Sequence, residues 1–479
     1  MIGRRWLVVI TAACGTLGPL PRIAAQSQAT VCDLRTVSPR GGIRTEQIPG
    51  VPGMQNAWAG GGVQVVCRSR GITITSDSAE QWGAEGKVVM IGHVHYVETA
   101  RLDLTANFLY YFQKEERVVA SLDVHATQLS NGSRLEGALV TLWRQMPSRP
   151  RQQIKAEGSP LVTIPQKDSA GVVVDTVAVR SSTLFMDGDD LVYAGGQVVI
   201  RRSDLTATGD SAALDSKQET MKLMRNPMID GQRGRKYRLS GQLIDAYSSN
   251  RKLRRVIARG AARATAGDIT LTADTLDLRV ANDQVDHAFA WGRTAPARVT
   301  TPRETMTADS LDILMPGQRV RRVLAIGAAL VEALPDSARF RTSERDWLRG
   351  DTVLAVFDSL APADTANPPL RRITAAARRA EARAYYHVVA SDTASRLPAI
   401  NYVVGRRIAL EFAARQLMSV TVRDSVAGIY AEPIDSTRRG PKGGAGHAVP
   451  RELAAGPPGR SDLPPPLTAP RRRRREVWR

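Results

Sequence analysis

Apolar and polar positions alternate with a period of two over most of this chain, but in a recurring stretch the alternation slips by one residue. In the clearest copy, Leu271 and Ala273 precede Asp274, and Leu276 and Leu278 follow it. Successive side chains of a β-strand point to opposite faces, so both apolar pairs reach one face only if the strand bulges or turns a corner at Asp274. A near copy with the same slip occupies residues 306–313.

The template recurs along the chain, and most neighbouring copies lie about 30 to 35 residues apart, a spacing typical of repeat architectures. Its centres are Asp77, Asn107, Ala138, Asp189, Asp210, Gln242, Asp274, Asp309, Asp351 and Arg406. A glycine follows three of these centres at the same offset, namely Gly260, Gly292 and Gly327. We therefore predict an all-β fold in which each repeat contributes two short antiparallel strands joined by polar turns.

The pattern divides the chain into six segments. They are a signal peptide (1–25), an irregular N-terminal arm (26–60), a first repeat group (61–143), a connection with one or two short strands (144–180), a second repeat group (181–430), and a disordered basic tail rich in Pro, Gly and Arg (431–479). Only residues 373–384 suggest a helix. Their alanine content favours one, although their place in the array equally allows a strand leading into Tyr385.

The N-terminus has the pattern of a secretory signal peptide. Arg4 and Arg5 precede an apolar run, and small residues at Ala24 and Ala25 predict cleavage there. Lipid attachment at Cys14 is the alternative. No later segment has eighteen uninterrupted apolar residues, so we expect no membrane-spanning helix.

Removal of the signal peptide leaves two cysteines, Cys32 and Cys67. In an exported protein they can form a disulfide that ties the N-terminal arm to the first repeat. The alternative is a pair of buried reduced thiols. The chain has no CxxC motif and no cysteine–histidine cluster, so a structural zinc site is not expected.

The net charge of +19 would suit nucleic-acid binding, but export argues against such a partner. Much of the charge is local, because residues 438–479 hold eleven Lys or Arg against three Asp or Glu. This tail is either a solvated basic segment or one attracted to an anionic membrane surface or a polyanionic glycolipid.

No catalytic constellation stands out, and we predict that the protein is not an enzyme and needs no cofactor. His93 and His95 could share a strand face and bind a metal with a distant carboxylate, but a solvent-facing pair is far more common, and we predict no metal site. The recurring Asp could form a ladder of carboxylates for calcium or acid–base chemistry. Asn107, Ala138, Gln242 and Arg406 replace it in other copies, which favours a structural corner stabilised by side-chain to backbone hydrogen bonds.

The apolar stripe beside the centres is the better functional candidate. Its residues would project to one side of a sheet, either as an ordinary core between two layers or as a long groove that receives acyl chains. The groove candidates are Leu239, Ile244, Leu271, Leu276, Leu278, Met306, Leu311, Ile313, Leu348 and Val353.

Three sequence features together resemble the organic-solvent-tolerance (OstA) family, which includes LptA and the N-terminal domain of LptD. They are the L-T-A-D-x-L stretches, the V-x-A-x-G stretches that follow them, and pieces such as residues 196–200. The resemblance covers roughly residues 61–430. It implies an extended twisted β-jellyroll, open along one side, that holds the acyl chains of lipopolysaccharide and joins other such proteins end to end through edge strands.

This chain departs from the family pattern in three respects. It carries the 144–180 segment and the basic tail, and it lacks the long alternating C-terminal region that a full-length LptD would need for its barrel. A scaffold or other role in the envelope therefore stays open.

The sequence thus predicts a non-enzymatic, exported protein of the periplasm, or of the periplasmic face of the outer membrane, in a Gram-negative-type bacterium. We expect it to bind lipopolysaccharide or a related glycolipid, other OstA or Lpt-type jellyrolls, or further copies of itself, and no nucleic acid. The alternative is a β-solenoid envelope scaffold or a carbohydrate-binding protein without lipid transport.

Overall fold

The computed structural model describes residues 34–37, 41–168, 170–232, 236–250, 252–358, 368–378, 380–391, 397–413 and 416–433. The chain divides into one unit of residues 1–432 and a second of residues 433–479, and all described residues except Pro433 belong to the first. The predicted signal peptide, Cys14, Cys32 and nearly all of the predicted tail lie outside the described residues.

Strands make up almost all of the described structure. The first half of the array contains β1 (Arg35–Val37), β2 (Ile43–Gln47), β3 (Gln55–Ala59), β4 (Val63–Cys67), β5 (Ile72–Ser76), β6 (Ser78–Trp82), β7 (Lys87–Glu98), β8 (Leu102–Phe112), β9 (Arg117–Gln128), β10 (Arg134–Trp143), β11 (Gln153–Glu157), β12 (Leu161–Lys167), β13 (Val173–Arg180), β14 (Thr183–Asp187), β15 (Leu191–Arg201), β16 (Leu205–Asp215) and β17 (Thr220–Met224). The second half contains β18 (Met228–Gly231), β19 (Tyr237–Ser240), β20 (Leu243–Ser249), β21 (Lys252–Ala266), β22 (Ile269–Ala281), β23 (Gln284–Trp291), β24 (Ala297–Thr300), β25 (Glu304–Ala308), β26 (Ser310–Leu314), β27 (Arg322–Ala333), β28 (Asp346–Phe357), β29 (Leu370–Ala376), β30 (Ala382–Val388), β31 (Ala399–Gly405), β32 (Arg407–Ala413), β33 (Gln416–Arg423) and β34 (Ala427–Ala431). Two short 3₁₀ helices cover Arg68–Arg70 and Pro316–Gln318.

These strands form two layers that share ten long strands. Each long strand contributes one half to the first layer and the other half to the second. The short strands of the first layer are β2, β3, β6, β11, β14, β17, β20, β23, β26, β29, β32 and β33. The short strands of the second layer are β1, β4, β5, β12, β13, β18, β19, β24, β25, β30, β31 and β34. The long strands are β7, β8, β9, β10, β15, β16, β21, β22, β27 and β28. The pairings between neighbouring strands are antiparallel, which confirms the predicted all-β antiparallel array.

Each long strand passes from one layer to the other at a corner, and the predicted slip marks these corners. In the β21–β22 ladder the register shifts between Arg259 and Ala262, so two residues of β21 stand opposite Asp274 alone. The corner predicted at Asp274 is therefore confirmed, as a bulge. Equivalent shifts lie opposite Asn107, Ala138, Asp210 and Asp351, and Asp77, Gln242, Asp309 and Arg406 stand where one strand ends and the next begins in the other layer.

The corner predicted at Asp189 is wrong. Asp189 lies in the hairpin turn between β14 and β15, on the side away from the corners. The true corner of this unit is at Ser181 and Ser182, where the Ser182 N–H donates to the carbonyl of Gly196 at 2.7 Å. A three-residue turn moves the apolar phase by one position just as a bulge does, so the two look alike in the sequence.

The recurring glycine serves the corner directly at two of its three positions. Gly260 and Gly327 have φ values of 76° and 81°, and the residues after them, Ala261 and Ala328, are also left-handed. A Cβ atom at Gly327 would overlap the Asp309 carboxylate of the neighbouring corner. Glycine is thus required both by backbone conformation and by the close approach of successive corners.

Three predicted segments differ from the structure. The segment 144–180 is not merely a connection with one or two short strands, because β11, β12 and β13 continue both layers through it. The arm 26–60 contains β1, β2 and β3 within its described part. Residues 373–384 form parts of β29 and β30, so the strand alternative is the observed one. Small alanines there face inward, as at Ala375 and Ala384, which are almost fully buried.

A single apolar cluster fills the space between the two layers. It runs without interruption from Val63 in β4 to Leu410 in β32, and its residues alternate along the strands with half-buried or exposed ones. Within the described ranges, no helix is long and apolar enough to cross a membrane.

Candidate functional site

All ten predicted groove residues lie in the apolar cluster, each with at most 8% of its surface exposed. They come from both layers. The first layer contributes Ile244, Leu276, Leu278, Leu311, Ile313 and Val353, and the second contributes Leu239, Leu271, Met306 and Leu348.

The strand register aligns these side chains into rows that cross the array. One row in the first layer alternates large and small residues, because Leu276, Leu311 and Val353 each pair with alanine on both neighbouring strands. At the two ends of the row, Ile244 and Ile408 pair with alanine on one side only. Its members in spatial order are Ile244, Ala258, Leu276, Ala290, Leu311, Ala325, Val353, Ala375 and Ile408. This alternation lines the interior with hydrocarbon. Because every second side chain is small, the first layer alone does not fill the space between the layers.

The side of the array opposite the corners, here called the turn side, carries the hairpin turns of both layers. The backbone hydrogen bonds of these turns run along a layer, as from Thr99 N–H to Gly71 O and from Gln113 N–H to Gly86 O. Among the described residues, no such bond joins a turn of one layer to a turn of the other. The layers are therefore bridged on this side by side chains.

The strongest bridge is a buried ionic cluster in the first repeat group. Arg144, at the end of β10, is 1% exposed and donates through Nη2 to Glu98 at the end of β7, at 2.9 Å. Its Nη1 lies 3.7 Å from the carboxylate of Glu116, which belongs to the first layer like Arg144 itself, so the pair of Arg144 with Glu98 is the contact that joins the two layers. Tyr96 and Tyr111 donate their hydroxyls to Glu98 and Glu116 respectively. Burial raises the pKa of both tyrosines, so they remain neutral donors.

Sequence reasoning missed this cluster, although a signal was present. Leu142 faces the interior, and strand alternation places Arg144 two positions later on the same face. Tyr96 and Glu98 continue the inward phase of Val94 in the same way. A charged residue at an inward strand position is uncommon unless it is paired, so each of these positions predicted a partner.

A second meeting point of the two layers surrounds a cavity of about 10 Å³. Tyr237 and Asp204 line it from the second layer, and Leu253, Val280 and Asp283 line it from the first. Burial raises the pKa of Tyr237 to about 12, with the Asp204 carboxylate adding to the effect. Elsewhere on the turn side, the Gln128 side chain of the second layer donates to Asp189 Oδ1 of the first layer at 3.0 Å. Asp189, which does not form a corner, therefore bridges the two layers.

Two of the corner carboxylates, those of Asp274 and Asp351, accept hydrogen bonds from the backbone of a neighbouring corner. The carboxylate of Asp274 accepts the N–H groups of Arg293 and Thr294 at 2.5 and 2.7 Å, and the Thr294 hydroxyl at 2.7 Å. Asp351 accepts the N–H of Arg378 at 2.6 Å. Each carboxylate thus holds the next corner of its ladder, as the corner interpretation predicts.

These hydrogen bonds make the Asp274 corner sensitive to acid. The Thr294 N–H, followed by its hydroxyl and the Arg293 N–H, lowers the pKa of Asp274 below the ordinary value of about 3.9. Because the pKa is lower in the folded state than in the unfolded state, the ionised Asp274 carboxylate stabilises the corner at every pH above the unfolded-state pKa. This stability is lost as the pH falls through the folded-state pKa. We expect hydrogen exchange at Arg293 and Thr294 to be slow at pH 7 and to accelerate towards pH 3 after correction for intrinsic rates. Asp274→Asn should weaken that pH dependence, whereas Asp309→Asn should leave it unchanged.

The two candidate metal-binding histidines, His93 and His95, do not share a carboxylate partner. His93 Nδ1 lies 2.8 Å from Asp77 and His95 Nε2 lies 3.0 Å from Asp103, so each histidine has its own carboxylate partner. In the described part of the chain, no three His, Cys, Asp or Glu side chains converge on a point where a metal could bind. Cys67 is fully buried and disulfide-bonded, but Cys32 lies outside the described residues, so the pairing of these two stays a prediction.

Comparison with known proteins adds little. No protein-family model matches the chain, and no curated protein matches it. Among solved structures, the chain is similar to LptH of Pseudomonas aeruginosa, described as the LptA-homologous periplasmic component of the lipopolysaccharide transport device. The identity is 16%, the match covers 33% of this chain and 85% of LptH, and the TM-score is 0.20. A TM-score this low does not establish a shared fold, so the fold is defined by the strand pairing of this chain itself.

Proposed function

We propose that this protein is a non-enzymatic envelope protein that binds the acyl chains of lipopolysaccharide or a related glycolipid between its two layers and helps carry it to the outer membrane. The observation that supports the proposal most strongly is the continuous apolar interior, which spans both repeat groups and is bridged by side chains alone along the described turn side. Lipid chains would enter there by separating the layers, and they would replace contacts between aliphatic side chains with equivalent contacts to hydrocarbon.

The competing function is a scaffold whose interior never opens. The ionic cluster around Arg144 favours this alternative for the first repeat group, because separating the layers there would expose and unpair buried charges. The second repeat group also holds a charge cluster, but it is more exposed: Arg202 is 18% exposed and pairs with Asp204, which is 11% exposed. Separating the layers costs less there, so lipid entry is better supported in the second repeat group.

Photo-crosslinking tests the proposal with a matched pair of adjacent positions. Val353 faces the interior and is 0% exposed, whereas Leu354 lies on the outer face of the same strand. A photoactivatable residue at position 353 is expected to crosslink to lipopolysaccharide, and the same residue at 354 should not.

A second substitution ties that signal to the apolar row. Leu311 and Val353 both pair with Ala325, so they lie in one row of the first layer. Leu311→Glu should abolish crosslinking at 353 while circular dichroism still reports a β-rich protein. Equal crosslinking at 353 and 354, or no crosslinking at 353 in the parent protein, would contradict lipid binding in the interior.

A further inference from the structure

A second concave site lies on the outer face of the first layer, away from the apolar interior. It is a cavity of about 350 Å³ above strands β21, β22 and β23, close to their corners. Ile257 and Thr275 form its floor. Ile257 points outward, between the inward-facing Val256 and Ala258, yet only 6% of it is exposed because the surrounding side chains rise above it.

One wall of this cavity is formed by a long corner. The β23–β24 corner has five residues, 292–296, whereas the neighbouring β25–β26 corner is Asp309 alone. Asp274 holds the long corner in place by accepting the Arg293 and Thr294 N–H groups. Trp291, the last residue of β23, is 37% exposed and stands at the base of this corner.

The opposite wall presents two fixed guanidinium groups. Arg255 donates to both oxygens of Asp277, at 2.9 and 2.7 Å, and Arg259 donates to Asp245. Both arginine side chains remain more than 40% exposed, so they keep donors available towards the cavity.

The remaining cation of the cavity differs from these two. Within the described part of the chain, no carboxylate forms an ion pair with the Arg293 guanidinium, although its backbone is anchored by Asp274. The cavity therefore combines an exposed indole, two oriented guanidinium groups and a third that forms no ion pair in the described part of the chain. The Asp274 carboxylate also lines it, but its oxygens already accept three hydrogen bonds from the long corner.

We propose that this cavity binds an acidic sugar unit, meaning a saccharide ring that bears a carboxylate or phosphate group. The exposed indole of Trp291 suits the apolar face of a sugar ring, because aromatic side chains offer a rigid, amphipathic contact surface. Arg293 pairs with the acid group, since guanidinium and carboxylate or phosphate form charge-assisted, bidentate hydrogen bonds. Arg255 and Arg259 donate to ring hydroxyls. The volume is within the usual range for small-molecule sites.

This site goes beyond lipid binding and is independent of it, because it lies on the opposite face of the layer from the acyl-chain candidates. An acidic sugar could reach it either as a free oligosaccharide or as the headgroup of a glycolipid. Digalacturonate is a suitable soluble probe, since it supplies the ring and the carboxylate without any acyl chain.

Isothermal titration with digalacturonate tests the proposal on the full chain. Galactobiose, which lacks the carboxylates, and inorganic phosphate, which lacks the ring, serve as comparison ligands. We expect digalacturonate to bind at least tenfold more tightly than either, and we expect Trp291→Ala and Arg293→Ala each to weaken it about tenfold or more. Arg322→Ala is the matched control, because Arg322 is an exposed arginine on the same outer face, paired with Asp312 at 4.0 Å; it should leave binding unchanged.

Three results would overturn the proposal. Digalacturonate could fail to bind at millimolar concentration, Arg322→Ala could weaken binding as much as Arg293→Ala, or phosphate could bind as tightly as digalacturonate with Trp291→Ala having no effect. Trp291→Phe guards against an unfolded Trp291→Ala variant, because an aromatic ring at this position should retain most of the affinity. Vesicles that carry an acidic glycolipid, tested against the Arg293→Ala variant, separate a membrane headgroup from a free oligosaccharide as the source.

Discussion

Arg144→Met is expected to destabilise the region of strands β7 to β10 by about 3 to 5 kcal/mol. Methionine retains much of the packing volume but removes the charge, and the carboxylates of Glu98 and Glu116 then remain buried, at 7% and 3% side-chain exposure, without their principal cation. Removing one partner of a buried ion pair costs more free energy than the intact pair contributes, because the charge that remains is desolvated and no longer paired.

Hydrogen exchange measured strand by strand is the appropriate readout. In an array where each strand contacts only its neighbours, opening near Arg144 need not propagate to the second repeat group. Amides of β7 to β10 should exchange faster, and those of β27 and β28 should not. Arg372→Met is the control, since Arg372 pairs with Glu411 at an exposed surface and its loss should change little. Adding Glu98→Gln and Glu116→Gln to Arg144→Met should restore part of the lost protection; no restoration would refute the electrostatic explanation.

Leu276→Ala has the second large expected effect, a loss of about 2 to 5 kcal/mol in the stability of the surrounding strands. Leu276 is 0% exposed and pairs with Ala258 and Ala290, two small residues that cannot fill the space its side chain leaves. The size of the loss also reports on the interior, because a site that collapses readily yields a smaller cost than a rigid one.

Leu324→Ala provides the comparison for Leu276→Ala. Leu324 is a half-buried leucine on the outer face of β27 in the same layer, and its truncation should cost less than about 1 kcal/mol. Denaturant melts of both variants, together with exchange in β21 to β23, measure the difference. Similar losses for the two leucines would mean that the apolar row does not form the stabilising core.

The corners could be predicted from sequence because two constraints agreed there. Around Asp274 the apolar phase slips, and a polar residue able to accept backbone hydrogen bonds stands at the slip. At Asp189 the same two features occur in a hairpin turn. The phase of the side chains alone does not show whether the chain bends between layers or reverses within one.

The strands of 144–180 were hidden by proline. Pro165 lies inside β12, where a strand is not expected, and it pairs with Thr176. The structure explains why it is tolerated, because β12 pairs with β10 only through residues 161 to 163, so the other edge of the strand is unpaired at Pro165. The edge status of a residue depends on strands distant in sequence and is not encoded in its local pattern.

The groove candidates lie in the buried apolar cluster, but the residues with which they pair were not predictable. Strand periodicity places Leu276 and Leu311 on the buried face, whereas the register that sets each beside alanines emerges only from the ladder. The outer cavity was missed for a similar reason. Arg259 is distant in the sequence from Trp291 and Arg293, and the pairing of β21, β22 and β23 brings them together.

The division between a tight corner side and a turn side has a consequence for engineering this chain. Successive corners touch one another, as Gly327 touches Asp309, so an extra residue there would disturb two units at once. Successive hairpin turns are also hydrogen-bonded to each other, as from Leu334 N–H to Arg303 O, but their length can vary beyond that contact. The natural chain already spaces β27 and β28 with a long segment, residues 334–345. Epitope tags, fluorophore sites or whole inserted domains should therefore be tolerated in that segment and rejected at single-residue corners such as Asp309.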